Sequence, residues 1–377
     1  MNYRHAFHAG NFADVVKHAT LARILTHLRS KPAAFRAIDT HAGAGLYDLS
    51  GEEASRSGEW HAGIGRLVTA PIAHAVHALL KPYLDVVAAL NKASPFVPAE
   101  AGTQGQISEQ SERPPDSPPS LKLRRAKAAE SIEARPASAL RASAGSEGAR
   151  RSPKGGDGSA KMGRLRGNER TDGALPGGES ESAPPQTRYA LTTYPGSPAL
   201  ARAFLRAQDR LVACELEPKA FAALAHNLAR DRRIKTIALD GWVALNAYVP
   251  PPERRGLVIL DPPYEDAEDF TRLAQSLELA HRKWASGIYL LWYPIKGRQE
   301  PDALARKLKR SGIARILRAE LAVGPTLVQG PLGGCGLIVV NPPWTLADEL
   351  SVLLPALAKA LSSRNSNHRL DWIVGEN

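Results

Sequence analysis

Cysteine and long apolar runs are scarce in this chain of 377 residues. Only Cys214 and Cys335 occur, each within an apolar run and without the spacing of metal ligands, which excludes a disulfide framework. No window reaches the length of a membrane-spanning helix, and the N-terminal segment contains no apolar stretch typical of a secretion signal. These absences predict a cytoplasmic protein that has neither a membrane partner nor a metal ion.

Acidic residues are in the minority. The chain has 49 lysines and arginines against 38 aspartates and glutamates, which gives a formal net charge of +11 and a pI of about 9.7. This balance favours a polyanionic partner, such as nucleic acid, over a small neutral substrate. By itself the charge also fits a basic protein without a special partner.

Aromatic residues are missing from a long internal segment. No Phe, Tyr or Trp lies between Phe96 and Tyr189, whereas Ser, Pro, Gly, Arg and Glu are crowded there, as in SERPPDSPPS. Such a composition cannot bury enough apolar surface to offset the entropy of ordering the chain. We therefore predict a disordered, low-complexity insert over residues 95–188. An expanded surface loop, which costs little closure entropy, is favoured over an arm that contacts nucleic acid loosely.

Strands and helices alternate through the rest of the chain. Asn11 is placed to cap a helix whose apolar residues follow at helical spacing, and Asp39 ends an apolar run that leads into the glycine loop THAGAG. The alternation predicts an α/β fold with a doubly wound, mostly parallel sheet, whose antiparallel members, if any, come last. We expect a single domain over residues 1–377, with a small helical subdomain inserted at 46–94.

Four successive predicted strands end in a carboxylate, at Asp39, Glu215, Asp240 and Asp261. Any one of them alone fits a helix N-cap. Because parallel strands have their carboxyl ends at one edge of the sheet, where ligands bind, the four together indicate a single site. The glycine loop lacks the Gly-x-Gly-x-x-Gly pattern of dehydrogenases, and no Gly-x-x-x-x-Gly-Lys-Ser/Thr motif of nucleotide triphosphatases occurs.

Two strand tips look alike: LVILDPPYE at 257–265 and LIVVNPPW at 337–344. In the first, the Asp261 carboxylate and the Pro262 carbonyl are acceptors that can hold both N–H groups of an aromatic amine and favour the pyramidal nitrogen that attacks. Tyr264 can stack on a base turned out of its helix, and the reaction needs no metal. Asp261, Pro262 and Tyr264 are therefore the predicted catalytic residues.

The second strand tip has Asn341 in place of the aspartate. Its amide oxygen could also accept one N–H group, so a chemical role is an open alternative. It follows the first tip by about eighty residues, and not every strand tip of a doubly wound sheet reaches the ligand crevice. We therefore interpret NPPW as a structural strand end.

These motifs resemble two nested families. The order of DTHAGAG, Glu215, Asp240-Gly241 and DPPY is similar to that of class I S-adenosylmethionine-dependent methyltransferases that act on amino groups. The segments MNYRHAFHAGNFADVVKH, YPGSP, GIYLLWYP and NPPW more narrowly resemble the RlmJ family of bacterial 23S ribosomal RNA adenine-N6 methyltransferases. The resemblance covers the chain outside the insert, which departs from the family pattern.

The resemblance implies a Rossmann-like methyltransferase fold and S-adenosylmethionine as the cofactor. It implies that Asp261 is catalytic and that Tyr3 lies on the substrate side. A carboxylate such as Glu215 suits the two hydroxyls of a ribose, because hydroxyls can donate to it. The cofactor-binding residues implied by the resemblance are His18, His41, Ser197, Glu215, Asp240, Gly241 and Asp261.

The N-terminal segment is interpreted as a lid that faces the substrate. Tyr3 can stack on a base, Arg4 can contact a phosphate, and Lys17 or His18 can face the carboxylate of the cofactor. We therefore predict Tyr3, Arg4 and Lys17 as substrate-binding residues. A metal site is the alternative, with ligands drawn from His5, His8, Asp14 and His18. It is not favoured, because no cysteine or second histidine pair completes a closed site.

The sequence thus predicts a monomer that methylates N6 of an adenine in 23S ribosomal RNA. Methylation of adenine N6 in DNA stays open as an alternative, because DPPY does not distinguish the two polymers. A nucleic-acid-binding protein that has lost catalysis is the second alternative. For His18 and His41, an ordinary loop or core position is the alternative to cofactor binding.

Overall fold

The structure is a computed structural model and describes residues 5–92, 189–266, 268–326, 332–362 and 366–375. Tyr3, Arg4 and the predicted insert over 95–188 lie outside the described residues. The described residues belong to one compact unit of the chain. The predicted boundaries of the insert and of the helical subdomain stay predictions.

Ten strands lie within the described ranges. In chain order they are β1 (Arg36–Asp39), β2 (Leu46–Asp48), β3 (Thr193–Pro195), β4 (Arg210–Glu215), β5 (Ile234–Ala238), β6 (Gly256–Leu260), β7 (Ile288–Ile295), β8 (Ile316–Ala322), β9 (Gly334–Val340) and β10 (Asn367–Val374). Eight of them form the main sheet in the order β10-β8-β9-β7-β6-β1-β4-β5, and β2 pairs with β3 in a separate antiparallel ribbon.

The five strands β5, β4, β1, β6 and β7 run parallel. By contrast, β9 runs antiparallel to both β7 and β8, and β10 runs antiparallel to β8. The predicted Rossmann-like, mostly parallel sheet is therefore confirmed, with its antiparallel members last. The chain moves from β1 outward to β4 and β5 and then returns to β6 on the other side of β1. This reversal is the point of an open sheet where ligands bind.

Ten α-helices accompany these strands in the described part of the chain. They are α1 (Phe12–Ser30), α2 (Glu52–Ser57), α3 (Arg66–Thr69), α4 (His74–Lys92), α5 (Ser197–Phe204), α6 (Pro218–Asn227), α7 (Gly241–Tyr248), α8 (Asp269–Lys283), α9 (Gln299–Lys309) and α10 (Leu346–Leu361). A 3₁₀ turn at His5–Phe7 precedes α1, and a π-helical turn at His61–Gly65 precedes α3. None of these helices is both long enough and apolar enough to cross a bilayer.

Two large hydrophobic cores cover the two faces of the main sheet. Along β6, Leu257 and Ile259 belong to the core that contains residues of α1, α5 and α10, whereas Val258 and Leu260 belong to the core that contains residues of α7, α8 and α9. This alternation follows from the strand geometry, since successive side chains point to opposite faces. A strand buried on both faces reads as a continuous apolar run, which is how β6 appears in the sequence.

Helix α1 is buried on nearly all sides. Its N-cap is Asn11, as predicted, whose side-chain oxygen accepts hydrogen bonds from the backbone N–H groups of Ala13 and Asp14 at 3.0 Å. The helix packs against α4, α5 and α10. It therefore carries several polar residues into the interior, among them Lys17 and His18, which are 4% and 0% exposed.

The periodicity of the sequence missed several elements. The β2–β3 ribbon was not predicted, because each strand has three residues and the two lie on opposite sides of the insert. The edge strand β10 was missed as well, since half of its residues are polar and all but one are half-exposed or exposed. Residues 46–92 contain β2, three α-helices and the π-helical turn, so helix dominates the segment predicted as the helical subdomain.

Candidate active site

One cavity of about 730 Å³ opens beyond the carboxyl ends of the parallel strands. It lies at the reversal of strand order around β1, where the fold is expected to bind a ligand. Ten of the residues predicted for catalysis or binding line it, namely Lys17, His18, His41, Ser197, Glu215, Asp240, Gly241, Asp261, Pro262 and Tyr264. The structure therefore brings together residues that are up to 247 positions apart, as from Lys17 to Tyr264.

Glu215, at the end of β4, is held in place by backbone groups. One carboxylate oxygen accepts from the N–H of Gly43 at 2.8 Å, and the other accepts from the N–H groups of Leu216 and Glu217, each at 2.8 Å. The first bond ties the glycine loop after β1 to the end of β4. A carboxylate has about four acceptor positions, so Glu215 can also accept from ligand hydroxyls on the cavity side.

Asp240 is the N-cap of α7 and accepts from the backbone N–H groups of Trp242 and Val243 at 3.0 Å. The next residue must be small, because a Cβ on Gly241 would lie 2.5 Å from Nε2 of His41. The His41 ring meets Trp242 edge-on at 5.3 Å between centroids. Burial lowers the pKa of His41 to about 4, so it is neutral at pH 7.

The first of the four predicted carboxylates behaves differently from the other three. Asp39 is fully buried and is not among the residues that line the cavity. Burial raises its pKa to about 7. The cavity edge is therefore formed by the carboxylates of Glu215, Asp240 and Asp261, with Asp39 beneath the protein surface.

The DPPY loop follows β6 and places Asp261, Pro262 and Tyr264 in the cavity wall. Tyr264 has a positive φ of 53°, and its hydroxyl donates to the backbone oxygen of Trp292 at 2.6 Å. Its ring lies 4.8 Å from Phe270 and 5.8 Å from Trp292, measured between centroids. The tether fixes the ring orientation, and a fixed aromatic wall is what a stacking role requires.

Lys17 contacts the predicted catalytic carboxylate. Its ammonium nitrogen lies 2.5 Å from Oδ2 of Asp261 and 2.9 Å from Oδ1 of Asp14. Burial by itself would lower the pKa of Lys17, but the charges of the two carboxylates outweigh it and hold the pKa well above its usual range. Lys17 is therefore a buried cation that compensates the negative charge of Asp261. The sequence predicted Lys17 as a substrate-binding residue and did not predict this contact.

Asp14 was named only as a candidate ligand of the metal site that the sequence did not favour. It is 2% exposed and accepts from the N–H of Gly10 at 2.9 Å and from Nε2 of His5 at 3.1 Å, in addition to Lys17. Burial opposes its ionisation, yet the neighbouring Lys17 and His5 keep its pKa well below the usual value. The sequence did hold a signal, because Asp14 and Lys17 are three residues apart and so share a face of α1.

The histidines near the N-terminus have carboxylate partners. His5 pairs with Asp14, and His8 lies 3.0 Å from the carboxylate of Glu59, which also accepts from Asn11. The hydrogen bond to Glu59 raises the pKa of His8. In the part of the chain that the structure describes, no group of three or more His, Cys, Asp or Glu side chains could hold a metal ion.

The second strand tip, NPPW, lies at the opposite edge of the sheet. Strand β9 runs antiparallel to β7, so Val340 pairs with Tyr289 at the start of β7, far from the end that faces the cavity. The Asn341 side chain donates to the backbone oxygens of Ala285 and Gly287 at 2.7 and 2.8 Å. The interpretation of NPPW as a structural strand end is consistent with this position and these bonds.

Comparison with known proteins decides the family. Residues 32–100 and 186–374 match the family described as ribosomal RNA large subunit methyltransferase D, RlmJ. The chain belongs to this family. The match includes the segments that carry His41, Ser197, Glu215, Asp240 and Asp261.

Individual relatives extend the similarity to the whole chain. Two curated proteins, both called ribosomal RNA large subunit methyltransferase J, are 30% identical (Escherichia coli, strain K12) and 29% identical (Haemophilus influenzae) over 377 residues, covering 100% of each chain. A crystal structure of a protein from Legionella pneumophila is 25% identical, with a TM-score of 0.65 and coverage of 97% of this chain and 98% of that one. These alignments include α1, which precedes the residues matched by the family.

Proposed function

We propose that this protein transfers a methyl group from S-adenosylmethionine to N6 of an adenine in 23S ribosomal RNA. The observation that carries the proposal is that one cavity holds both the DPPY loop and the carboxylates of β4 and β5. Family membership and the names of the two curated relatives support ribosomal RNA as the substrate. The net charge of +11 supports a polyanion.

The residues of the cavity fit S-adenosylmethionine. Glu215 offers acceptors to ribose hydroxyls, and Asp240 can accept from the amino group of an adenine. The backbone at Gly241 approaches His41 so closely that no side chain fits between them, since a Cβ would lie 2.5 Å from Nε2 of His41. His18 presents Nε2, a fully buried nitrogen that has no hydrogen-bond partner among the described residues. When bound, this cofactor supplies an electrophilic methyl group on a sulfonium.

Asp261 and Pro262 are the groups that act on the acceptor base. The carboxylate of Asp261 and the backbone oxygen of Pro262 accept the two N–H groups of the adenine and so orient the nitrogen lone pair toward the methyl carbon. Lys17 compensates the negative charge of the Asp261 carboxylate, since its ammonium nitrogen lies 2.5 Å from that group. With the donor bound, the carbon–nitrogen bond would form as the methyl–sulfur bond breaks, S-adenosylhomocysteine would be the leaving group, and Asp261 would take the proton that N6 loses.

The proposal is tested with Asp261→Asn. The amide keeps the shape of the side chain but has one acceptor fewer and cannot take the proton, so we expect turnover to fall by about 10²-fold or more. Transfer of tritiated methyl groups to unmodified 23S ribosomal RNA fragments measures the loss. Asp85→Asn, which removes a carboxylate that is 60% exposed on α4, is the matched control.

Three results would contradict the proposal. Near-normal turnover of Asp261→Asn would show that this carboxylate does not act on the acceptor. Preferred methylation of duplex DNA over 23S fragments in a competition would identify DNA as the substrate. Failure of the unaltered protein to bind S-adenosylmethionine by calorimetry would indicate a protein without catalysis.

A further inference from the structure

Three buried polar groups lie in a line behind the cavity. The Tyr83 hydroxyl on α4 lies 2.8 Å from the Tyr194 hydroxyl on β3, which lies 2.8 Å from Nδ1 of His18 on α1. All three side chains are fully buried. The line ends in the cavity, because His18 is one of the residues that line it.

The two hydrogen bonds of this line have a preferred direction from donor to acceptor. The structure gives the Tyr83 hydroxyl no hydrogen-bond partner other than Tyr194 within the described ranges. If Tyr83 accepted from Tyr194, its own O–H would be buried without an acceptor, which costs more than an unfilled oxygen lone pair. Tyr83 therefore donates to Tyr194, and Tyr194 must use its single hydrogen to donate to Nδ1 of His18.

The direction of the hydrogens decides the tautomer of His18. Burial lowers the pKa of His18 to about 3, so the ring is neutral at pH 7 and carries one N–H. Since Nδ1 accepts from Tyr194, that hydrogen must lie on Nε2. Nε2 has no partner among the residues that the structure describes. The ring thus offers a donor, and a donor binds an acceptor group on a ligand.

We propose that Tyr83 and Tyr194 are positioning residues that fix His18 as the Nε2–H tautomer, so that His18 donates to the carboxylate at the amino-acid end of the methyl donor. The inference rests on the proposed function, since it assigns a contact to that cofactor. The ammonium group of the same ligand is excluded as the partner of Nε2 because it can only donate. The ribose hydroxyls are assigned to the carboxylate of Glu215, at the end of β4, under the proposed function.

Binding measurements with two ligands separate this contact from the rest of the site. S-adenosylhomocysteine contains the carboxylate, whereas 5′-methylthioadenosine lacks the entire amino-acid end. We expect Tyr194→Phe to weaken S-adenosylhomocysteine about tenfold and to leave 5′-methylthioadenosine unchanged, because a hydrogen bond to a charged group is lost with one ligand only. Tyr83→Phe should act in the same direction with a smaller effect.

Tyr289→Phe is the matched control. Its hydroxyl is also buried and donates to a backbone oxygen, that of Trp284, at 2.9 Å, but it belongs to the opposite core. It should leave the affinity for both ligands unchanged. If Tyr194→Phe weakened both ligands equally, or neither, the positioning role would be refuted.

Nitrogen-15 NMR of histidine-labelled, unaltered protein reads the tautomer directly and does not depend on any variant folding. The His18 signals are identified by their absence in His18→Gln. We expect Nε2 to carry the hydrogen in the unaltered protein, and the other tautomer to gain population in Tyr83→Phe. A hydrogen on Nδ1 of the unaltered protein would overturn the inference even if S-adenosylhomocysteine binds. Absence of binding of S-adenosylhomocysteine to the unaltered protein would instead overturn the proposed function.

Discussion

Replacing Lys17 by methionine tests how the active site tolerates buried charge. Lys17 is 4% exposed and lies between two carboxylates, that of Asp14, which is 2% exposed, and that of Asp261, which is 15% exposed. Methionine has a similar length and no charge. The substitution therefore leaves two carboxylates close together in the interior without the cation that compensates them.

The size of the effect follows from burial. Removing one partner of a buried ion pair leaves an uncompensated charge and costs about 3–5 kcal/mol of unfolding free energy. The matched control is Lys81→Met, which breaks a contact of 2.6 Å between Lys81 and Asp85 on the surface of α4, where the side chains are 59% and 60% exposed. Solvent screens such a pair, so its loss costs about 0–1 kcal/mol.

The unfolding free energy of Lys17→Met should depend on pH with a definite sign. In the unaltered protein the folded-state pKa of Asp14 lies below its unfolded value, so its contribution is present above the unfolded pKa and is lost only as pH falls through the folded one. Between about pH 8 and about pH 5, Asp14 therefore leaves stability nearly constant. In Lys17→Met, burial and the charge of the facing carboxylate raise the pKa of one of the two carboxylates, that of Asp14 or that of Asp261. Protonation of this group therefore restores stability as pH falls.

Urea denaturation followed by circular dichroism at several pH values measures both effects. We expect Lys17→Met to be much less stable than Lys81→Met at about pH 8 and to recover part of the difference at about pH 5. A loss below about 1 kcal/mol at the higher pH would place Lys17 in the class of exposed ion pairs and refute the reasoning. A loss without any recovery on acidification would show that the two carboxylates do not interact.

Two further substitutions test the cofactor side of the cavity. Glu215→Gln should weaken S-adenosylhomocysteine about tenfold or more by calorimetry, because its amide NH₂ would face either the N–H of Gly43 or the N–H groups of Leu216 and Glu217, donor against donor; an unchanged affinity would remove Glu215 from the site. Gly241→Ala should lower the unfolding free energy by about 1–3 kcal/mol, since the added Cβ would lie 2.5 Å from Nε2 of His41. Gly375→Ala, where a Cβ meets nothing within 4 Å, is its control, and equal stability of the two variants would contradict the expected clash.

The sequence predicted the parallel half of the sheet well, because the information is local there. Each buried strand is an apolar run that ends at a polar residue, as with Leu260 and Asp261 at the end of β6. The N-cap of α1 was predictable for the same reason, since Asn11 and the helix it caps are adjacent in the chain. Short or polar elements such as β2 and β10 carry no such pattern and were missed.

The partners of the polar residues were not predictable in the same way. Lys17 contacts Asp261 across 244 positions, and Tyr83 contacts Tyr194 across 111 positions and the whole insert. The sequence identified Lys17 as a site residue but predicted that it binds the substrate. Only the packing of α1 against the sheet shows that the ammonium group of Lys17 forms an ion pair with a carboxylate of the site, that of Asp261.

The amino-acid sequence alone determined the parallel strands of the sheet, the residues at their ends, and that the carboxylates of Glu215, Asp240 and Asp261 belong to one edge. Local hydrophobic pattern and the direction of parallel strands suffice for that. The tertiary structure decided which of the two similar strand tips meets the cavity. The reversed direction of β9 puts Asn341 at the opposite edge from Asp261, and strand direction in a sheet is set by pairing between segments far apart in the chain, which no local pattern encodes.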